Sequence, residues 1–195
     1  MKSASFNIRP IEELVDSKEV QGNFLLITTR PGSEFWALTE SLDALYPLDL
    51  SIEVFSPPIP GNILLKMNIP LEKAIRILAK RYTTSIYHVY PINVILRPSH
   101  VDQLIQACLR LSKNLIPSNT SFRVKCKRRG DKLVKNSEEF EKYLGEIILR
   151  NLYDKCLSVN LEKPDVVVMI HIISYIVGIG ISKPRLILRK HTRWD

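Results

Sequence analysis

"SFRVKCKRRG", residues 121–130, carries two patterns at once: Phe122, Val124 and Cys126 fall on even positions, and Arg123, Lys125 and Lys127 on odd ones. Successive side chains of an extended strand point to opposite faces, so the stretch predicts a strand with three apolar groups against a core and three cations on the other side. Lys125 and Lys127 are accordingly expected to face solvent. The loop that follows, "RRGDKLVKN" (128–136), extends the same positive field through Arg128, Arg129, Lys132 and Lys135.

Working outward toward the C-terminus, Asn136 with Glu139 has the pattern of a helix cap, and Phe140, Leu144, Ile147, Ile148 and Leu152 mark the core face of the helix it opens. Glu138, Glu139 and Glu141 suit the first turn of that helix through its dipole and need no catalytic explanation. "DVVVMIHII" (165–173) is apolar almost throughout, as a strand buried on both faces tends to be. "YIVGIGIS" (175–182) reads as its hairpin partner or neighbour. Toward the N-terminus, Ser99 and Asp102 have capping-box spacing, and Val101, Leu104, Ile105, Cys108 and Leu115 mark a buried helical stripe.

The first half has its own rhythm. "NFLLITT" (23–29) is a β-rich run ended by "RPG", after which Phe35, Leu38, Leu42 and Leu45 recur at helical spacing. "LSIEVF" (50–55) and "NILLKM" (62–67) flank a proline-rich turn as a hairpin would. A helix with Leu71, Ala74, Ile75, Leu78 and Tyr82 on one face leads to the strand "SIYHVYPINVI" (85–95). The order β-α-β-β-α-β is the ferredoxin-like arrangement. The expected class is therefore α/β of the α+β kind: a loose arm or one short helix over residues 1–20, a ferredoxin-like domain over 21–97, a second α/β domain over 98–184 and a basic tail over 185–195.

Charge placement narrows the partner. The net charge is +8, and residues 123–135 alone hold seven Lys or Arg against Asp131. A second basic stretch, "KPRLILRKHTRWD" (183–195), closes the chain and leaves the remainder slightly acidic. Such asymmetry points to an anionic partner meeting one region. With no helix-turn-helix signal, RNA recognised through its backbone and shape is favoured over duplex DNA. Trp194, Phe122 and Tyr90 are candidates to stack on bases, set against the ordinary reading of a sheet aromatic as core.

Signatures of chemistry are missing where they would have to sit. No GxxxxGK[ST], GxSxG or HExxH occurs, and Gly178 and Gly180 lie within a strand, where they read as backbone packing. His88, His100, His171 and His191 lack metal-ligand spacing, and Cys108, Cys126 and Cys156 read as three core thiols in a reducing setting. With neither a signal peptide nor an apolar run of bilayer length, a cytoplasmic protein without a membrane segment, cofactor or metal is expected.

Beyond these patterns, "SFRVKCKRRG", "NLEKPD" (160–165) with its apolar strand, and the "GIGIS" ending resemble the THUMP domain. The likeness extends upstream through "NFLLITTRPG" to cover residues 23–183. THUMP is an RNA-binding module of tRNA-modifying enzymes, and the "NLEKPD" pattern is similar in particular to THUMP proteins that assist tRNA cytidine acetylation. The resemblance implies that residues 98–184 are THUMP-like, that the chain binds tRNA at its acceptor region or 3′ end, and that it is a non-catalytic adaptor. In that role it presents tRNA to a separate enzyme such as an RNA acetyltransferase. The expected phosphate and sugar contacts are Arg123, Lys125, Lys127, Arg128, Arg129, Lys132, Lys135 and Arg30. The alternatives are an interaction scaffold whose basic face docks an acidic protein, and a small RNA-modifying enzyme with a composite site.

Overall fold

The computed structural model describes residues 7–15, 19–130 and 133–190. Its first half runs β1 (Ile8–Pro10), α1 (Glu12–Val15), β2 (Glu19–Thr29), α2 (Glu34–Leu45), β3 (Glu53–Ser56), β4 (Asn62–Met67), α3 (Leu71–Lys80) and β5 (Ile86–Leu96). The second runs α4 (Val101–Leu115), β6 (Ser121–Arg129), α5 (Ser137–Asn151), β7 (Ser158–Val159), β8 (Val166–Ile173), β9 (Ile176–Ser182) and β10 (Leu188–Arg189). This is the mixed α/β class anticipated.

Among the described residues the strands form one ten-stranded sheet in the order β1-β3-β4-β2-β5-β9-β8-β6-β7, with β10 also against β5. Strands β3, β4, β2 and β5 pair antiparallel in that order, which is the sheet that the β-α-β-β-α-β succession implies. The sheet then continues past the boundary expected at residues 97–98, because β5 pairs with β9 in register Val94↔Ile179 to Leu96↔Val177. In the second half β8 and β9 form an antiparallel hairpin, while β6 lies parallel to β8 across the α5 crossover.

Three apolar clusters hold this sheet. Helices α2 and α3 pack over one face of the first half through Leu38, Leu42, Ala74, Ile75 and Leu78. Helices α4 and α5 pack over the second half through Leu104, Cys108, Leu144 and Ile148 against Phe122, Val124 and Val168. On the opposite face one shared cluster joins the halves: Phe24, Leu26 and Tyr90 meet Val167, Met169 and Ile173, and Ile11, Leu14 and Val15 lie on them. Strand β8 is buried at all eight positions because even residues face the helices and odd ones face this shared cluster.

Gly180 sits where the halves touch. A Cβ there would lie 1.9 Å from the Pro91 carbonyl oxygen, so β9 can approach β5 only as glycine, as the backbone-packing reading held.

Several expectations change. The segment read as a loose arm or one short helix contains the short helix α1 and, beyond that reading, β1, parallel to β3; Ile11, Leu14 and Val15 make a one-turn apolar stripe at i, i+3, i+4. Residues 1–6 and 16–18 of that segment lie outside the described ones. The basic tail likewise begins as structure, Leu188 and Arg189 pairing with Val89 and His88. Ser99 and Asp102 form no capping box: the α4 N-cap is His100, and the Gln103 side chain accepts from the Ser99 N–H at 2.8 Å. Leu115 and Tyr82 are exposed at helix ends, and Phe35, read as core, is 53% exposed in the first turn of α2. Cys108 and Cys126 are buried as expected, but Cys156 is exposed and sits at φ 50° after a short 3-10 turn.

Candidate nucleic-acid interface

Strand β6 has the alternation read from its sequence, with Phe122, Val124 and Cys126 buried and Arg123, Lys125 and Lys127 half-buried opposite them. Its edge explains where the cations go. On one side β6 is paired with β8 along its length, but on the other β7 reaches only Ser121 and Phe122. Beyond that, Glu141 of α5 serves the open edge. Its Oε1 accepts the Cys126 N–H at 2.8 Å and pairs with Lys125 Nζ at 3.3 Å. Arg123 turns the same way, and its Nη1 donates to the Leu161 carbonyl at 2.7 Å.

The expectation of a freely projecting cationic row is therefore corrected at two positions. Lys125 is paired with a carboxylate, and Arg123 fastens the 159–161 segment to the strand. Both line a cleft of about 390 Å³ between β6 and α5, and there the charged groups are spent on holding the strand edge.

Lys127 is different. It leans inward, its ammonium donating to the Tyr90 hydroxyl and lying 4.8 Å from the centre of the Tyr90 ring. Its pKa is lowered by burial first and then by repulsion from Arg129, Arg189 and Lys125. The hydrogen bonds of Lys127 and Arg129 go to neutral oxygens. Arg129 Nη1 donates to Asn62 Oδ1 at 3.1 Å, and Arg128 Nη1 donates to the Val134 carbonyl at 2.7 Å. Where cations crowd among neutral acceptors, an arriving anion relieves their mutual repulsion. The expectation that Lys127 faces solvent is thus also corrected: it is half-buried, at the rim of a cluster whose exposed members are Arg128, Arg129 and Arg189.

Beneath the rim lies a buried aromatic stack. Tyr90 lies against His171 with ring centres 4.3 Å apart and against His88 at 5.6 Å. His88 Nδ1 shares a hydrogen bond with Thr28 Oγ1. His171 is held neutral, its pKa lowered to about 3 by burial and by the charges of Lys127 and Arg129. Burial also pushes Cys126 up to about 11 and Cys108 higher still, so both thiols are inert at neutral pH.

The remaining nominated residues divide. Lys135 is exposed beyond the Gly130 turn, Arg30 is exposed at the end of β2, and Lys132 lies outside the described residues. Next to Arg30 in sequence, Pro31 packs near Gly61, whose neighbour Asn62 receives Arg129. Of the proposed stacking aromatics, Phe122 and Tyr90 are core, and Trp194 lies outside the described residues. Sequence reasoning missed Arg189, which β10 places beside His88. Its place in a basic stretch was the available signal.

The "NLEKPD" turn has a structural job. Asn160 Oδ1 accepts from the Glu162 and Lys163 N–H groups, and Asp165 Oδ2 accepts from the Ser121 N–H and hydroxyl. The turn therefore ties the entry of β8 to the start of β6, and fixes the register that puts Lys127 beside His171. The family model of the THUMP domain matches residues 98–182. Those residues are a THUMP domain. Its strand β6 carries Lys127, Arg128 and Arg129, while Tyr90, Asn62 and Arg30 come from the half before it.

Among solved structures the chain is similar to PH1313 from Pyrococcus horikoshii Ot3, with a TM-score of 0.60 and 20% identity over 83% of this chain and 54% of that one. It is similar to a 4-thiouridine synthetase solved as an RNA complex with bound ATP, at 0.58 and 16% over 83% and 41%. TrmN from Thermus thermophilus aligns at 0.55 and 27% over 82% and 45%. The chain thus spans about half the length of the structures it matches, and the shared part includes the half preceding THUMP as well as THUMP itself. No curated protein sequence matches the chain. Among the described residues no three His, Cys, Asp or Glu side chains gather as a metal-ligand set, and no helix is long and apolar enough to cross a membrane.

Proposed function

We propose that this chain binds tRNA through the rim formed by Lys127, Arg128, Arg129, Lys135, Arg30 and Arg189, and that it serves as a non-catalytic adaptor presenting tRNA to a separate modification enzyme. The observation that carries the binding reading is the crowding of Lys127, Arg129 and Arg189 at one rim, where the bonds given to the first two go to neutral oxygens. Phosphates supply the missing negative charge, and a planar guanidinium meets a phosphate in bidentate fashion. The THUMP domain and the fold shared with an RNA-bound 4-thiouridine synthetase support RNA as the polyanion. The adaptor role rests on the resemblance of "NLEKPD" and "GIGIS" to THUMP proteins that assist tRNA cytidine acetylation, which makes an RNA acetyltransferase the first enzyme to test. We also propose that the protein works in the cytoplasm.

The test uses purified chain, tRNA and an RNA cytidine acetyltransferase. Arg128→Glu with Arg129→Glu is expected to weaken tRNA retention on a filter at least tenfold with an unchanged melting temperature, since both side chains are exposed and charge reversal there disturbs no core. The chain is expected to raise acetylcytidine formation, and the double variant to lose that effect. Equal retention of tRNA by wild type and variant overturns the binding reading. Retention without any stimulation of the enzyme overturns the adaptor role alone. Binding to an acidic protein that survives nuclease treatment, without tRNA retention, favours the scaffold alternative.

A further inference from the structure

Strand β6 leaves part of its outer edge unpaired. Its odd residues turn their backbone groups toward β8, the Ser121 and Arg129 carbonyls accepting from the Asp165 and Ser174 N–H groups at its two ends. The even residues therefore point outward, where the Phe122 carbonyl accepts from the Asn160 N–H and the Cys126 N–H donates to Glu141. Between them stands Val124. Among the described residues its outward N–H and C=O meet no partner, because β7 pairs only as far as Phe122 and Glu141 reaches only Cys126. Val124 is nonetheless only 5% exposed, and a backbone pair withdrawn from water without a partner is costly.

Helix α5 keeps the space outside this edge open. Since β6 and β8 are parallel, the helix between them runs back antiparallel to β6. Glu141 bonds at Cys126, so Gly145, one turn on and about 6 Å along the axis, stands level with Val124, two strand residues back by about 6.6 Å. A Cβ at Gly145 would meet nothing within 4 Å, so the chain's own packing does not require glycine there, although glycine inside a helix costs stability. The result is the cleft of about 390 Å³, whose apolar lining includes Phe122, Leu149 and the exposed Val159 and Leu161. Its α5 wall sets Glu138, Glu141 and Glu146 against Lys142. Glu141 is paired with Lys125, and neither Glu138 nor Glu146 forms an ion pair among the described residues.

We propose that this cleft binds an extended peptide of a partner protein as an added antiparallel strand. One peptide residue exchanges both backbone hydrogen bonds with Val124, which an antiparallel pair allows and which suits an opening one residue long. Its side chain falls on the same side of the sheet as that of Val124, so an apolar one fills the slot over Gly145. Lys or Arg beside it meets Glu138 and Glu146. The edge lacks one acceptor and one donor at strand spacing, and extended backbone supplies both, whereas the carboxylates of α5 repel a nucleic-acid backbone. The inference does not depend on the RNA-binding reading.

The experiment uses the full chain and a phage library displaying nine random residues, selected on wild type and depleted on Gly145→Leu, which fills the slot with a helix-favouring side chain. Peptides with an apolar residue flanked by Lys or Arg are expected to be enriched. A fluorescein-labelled selected peptide is expected to bind Gly145→Leu at least tenfold more weakly by anisotropy, with no fall in melting temperature, and to lose affinity on Glu138→Gln with Glu146→Gln. N-methylation of the peptide amide that meets the Val124 carbonyl is expected to abolish binding. The bound peptide is expected to slow amide exchange at Val124 and not at Phe122, which β7 already pairs. Absence of enrichment, enrichment of acidic peptides, or an unchanged Val124 amide overturns the proposal, and the N-methylation and exchange measurements decide it even if Gly145→Leu fails to fold. Displacement of the peptide by tRNA assigns the cleft to RNA, and a dimer of the chain that the peptide disrupts assigns it to a second copy; either result overturns the partner peptide.

Discussion

His171 shows how a single side chain records the charge around it. It is fully buried beside Tyr90, its Nε2 has no partner among the described residues, and Lys127 and Arg129 stand over it. Its folded pKa of about 3 lies below the ordinary value near 6.5. Between these values the unfolded chain binds a proton that the folded chain refuses, so stability is full above about pH 6.5 and falls as pH drops toward about 3. Replacing the imidazole with His171→Leu, similar in volume and without a titrating group, is expected to flatten urea-derived stability between pH 6.5 and 4. A slope unchanged from wild type would mean that other groups set the acid limit. At this scale the sequence was least informative, because Lys125 meets Glu141 sixteen residues away, Lys127 meets Tyr90 thirty-seven away and Arg129 meets Asn62 sixty-seven away. Alternation places a cation on a face; only the curl of the sheet decides what it touches there.

Elements were more legible, since their signals are local. The period-2 alternation of 122–127, the apolar run of β8 broken only by His171 and the cap at Asn136 all translate directly into the fold. The Asn136 side chain accepts from the Glu138 and Glu139 N–H groups at 2.9 and 3.3 Å and opens α5, the helix that carries Glu141 to the β6 edge. Asn136→Ala is expected to cost about 1 kcal/mol in chemical denaturation, with Asn136→Ser recovering most of it. A loss indistinguishable from zero would show that α5 is held by its apolar face alone. Where element signals misled, the helix period was applied one turn too far. Phe35 shares the spacing of Leu38, Leu42 and Leu45, yet it precedes the part of α2 that covers the sheet and stays outside the core.

At the scale of the whole molecule, the halves that composition and order separate are joined by β5–β9 pairing and by a shared cluster on the face opposite the helices. The contact depends on Gly180 and on apolar residues from both ends of the chain, and no local pattern announces it. Because Phe24, Tyr90, Met169 and Ile173 lose their packing together, far-UV circular dichroism and differential scanning calorimetry are expected to report one coincident thermal transition. Two separated transitions would mean that the halves are stable independently of each other. The same junction brings Asn62 and Tyr90 of the first half to Arg129 and Lys127, so those contacts exist only in the joined molecule.

The cationic rim makes the most direct test a salt titration of tRNA affinity. Six phosphate contacts, one for each rim cation, give a slope of log affinity against log salt of about −4.2, and Arg128→Glu with Arg129→Glu removes roughly 1.4 from its magnitude. A wild-type slope near zero, or one that the double variant leaves untouched, would contradict binding at this rim.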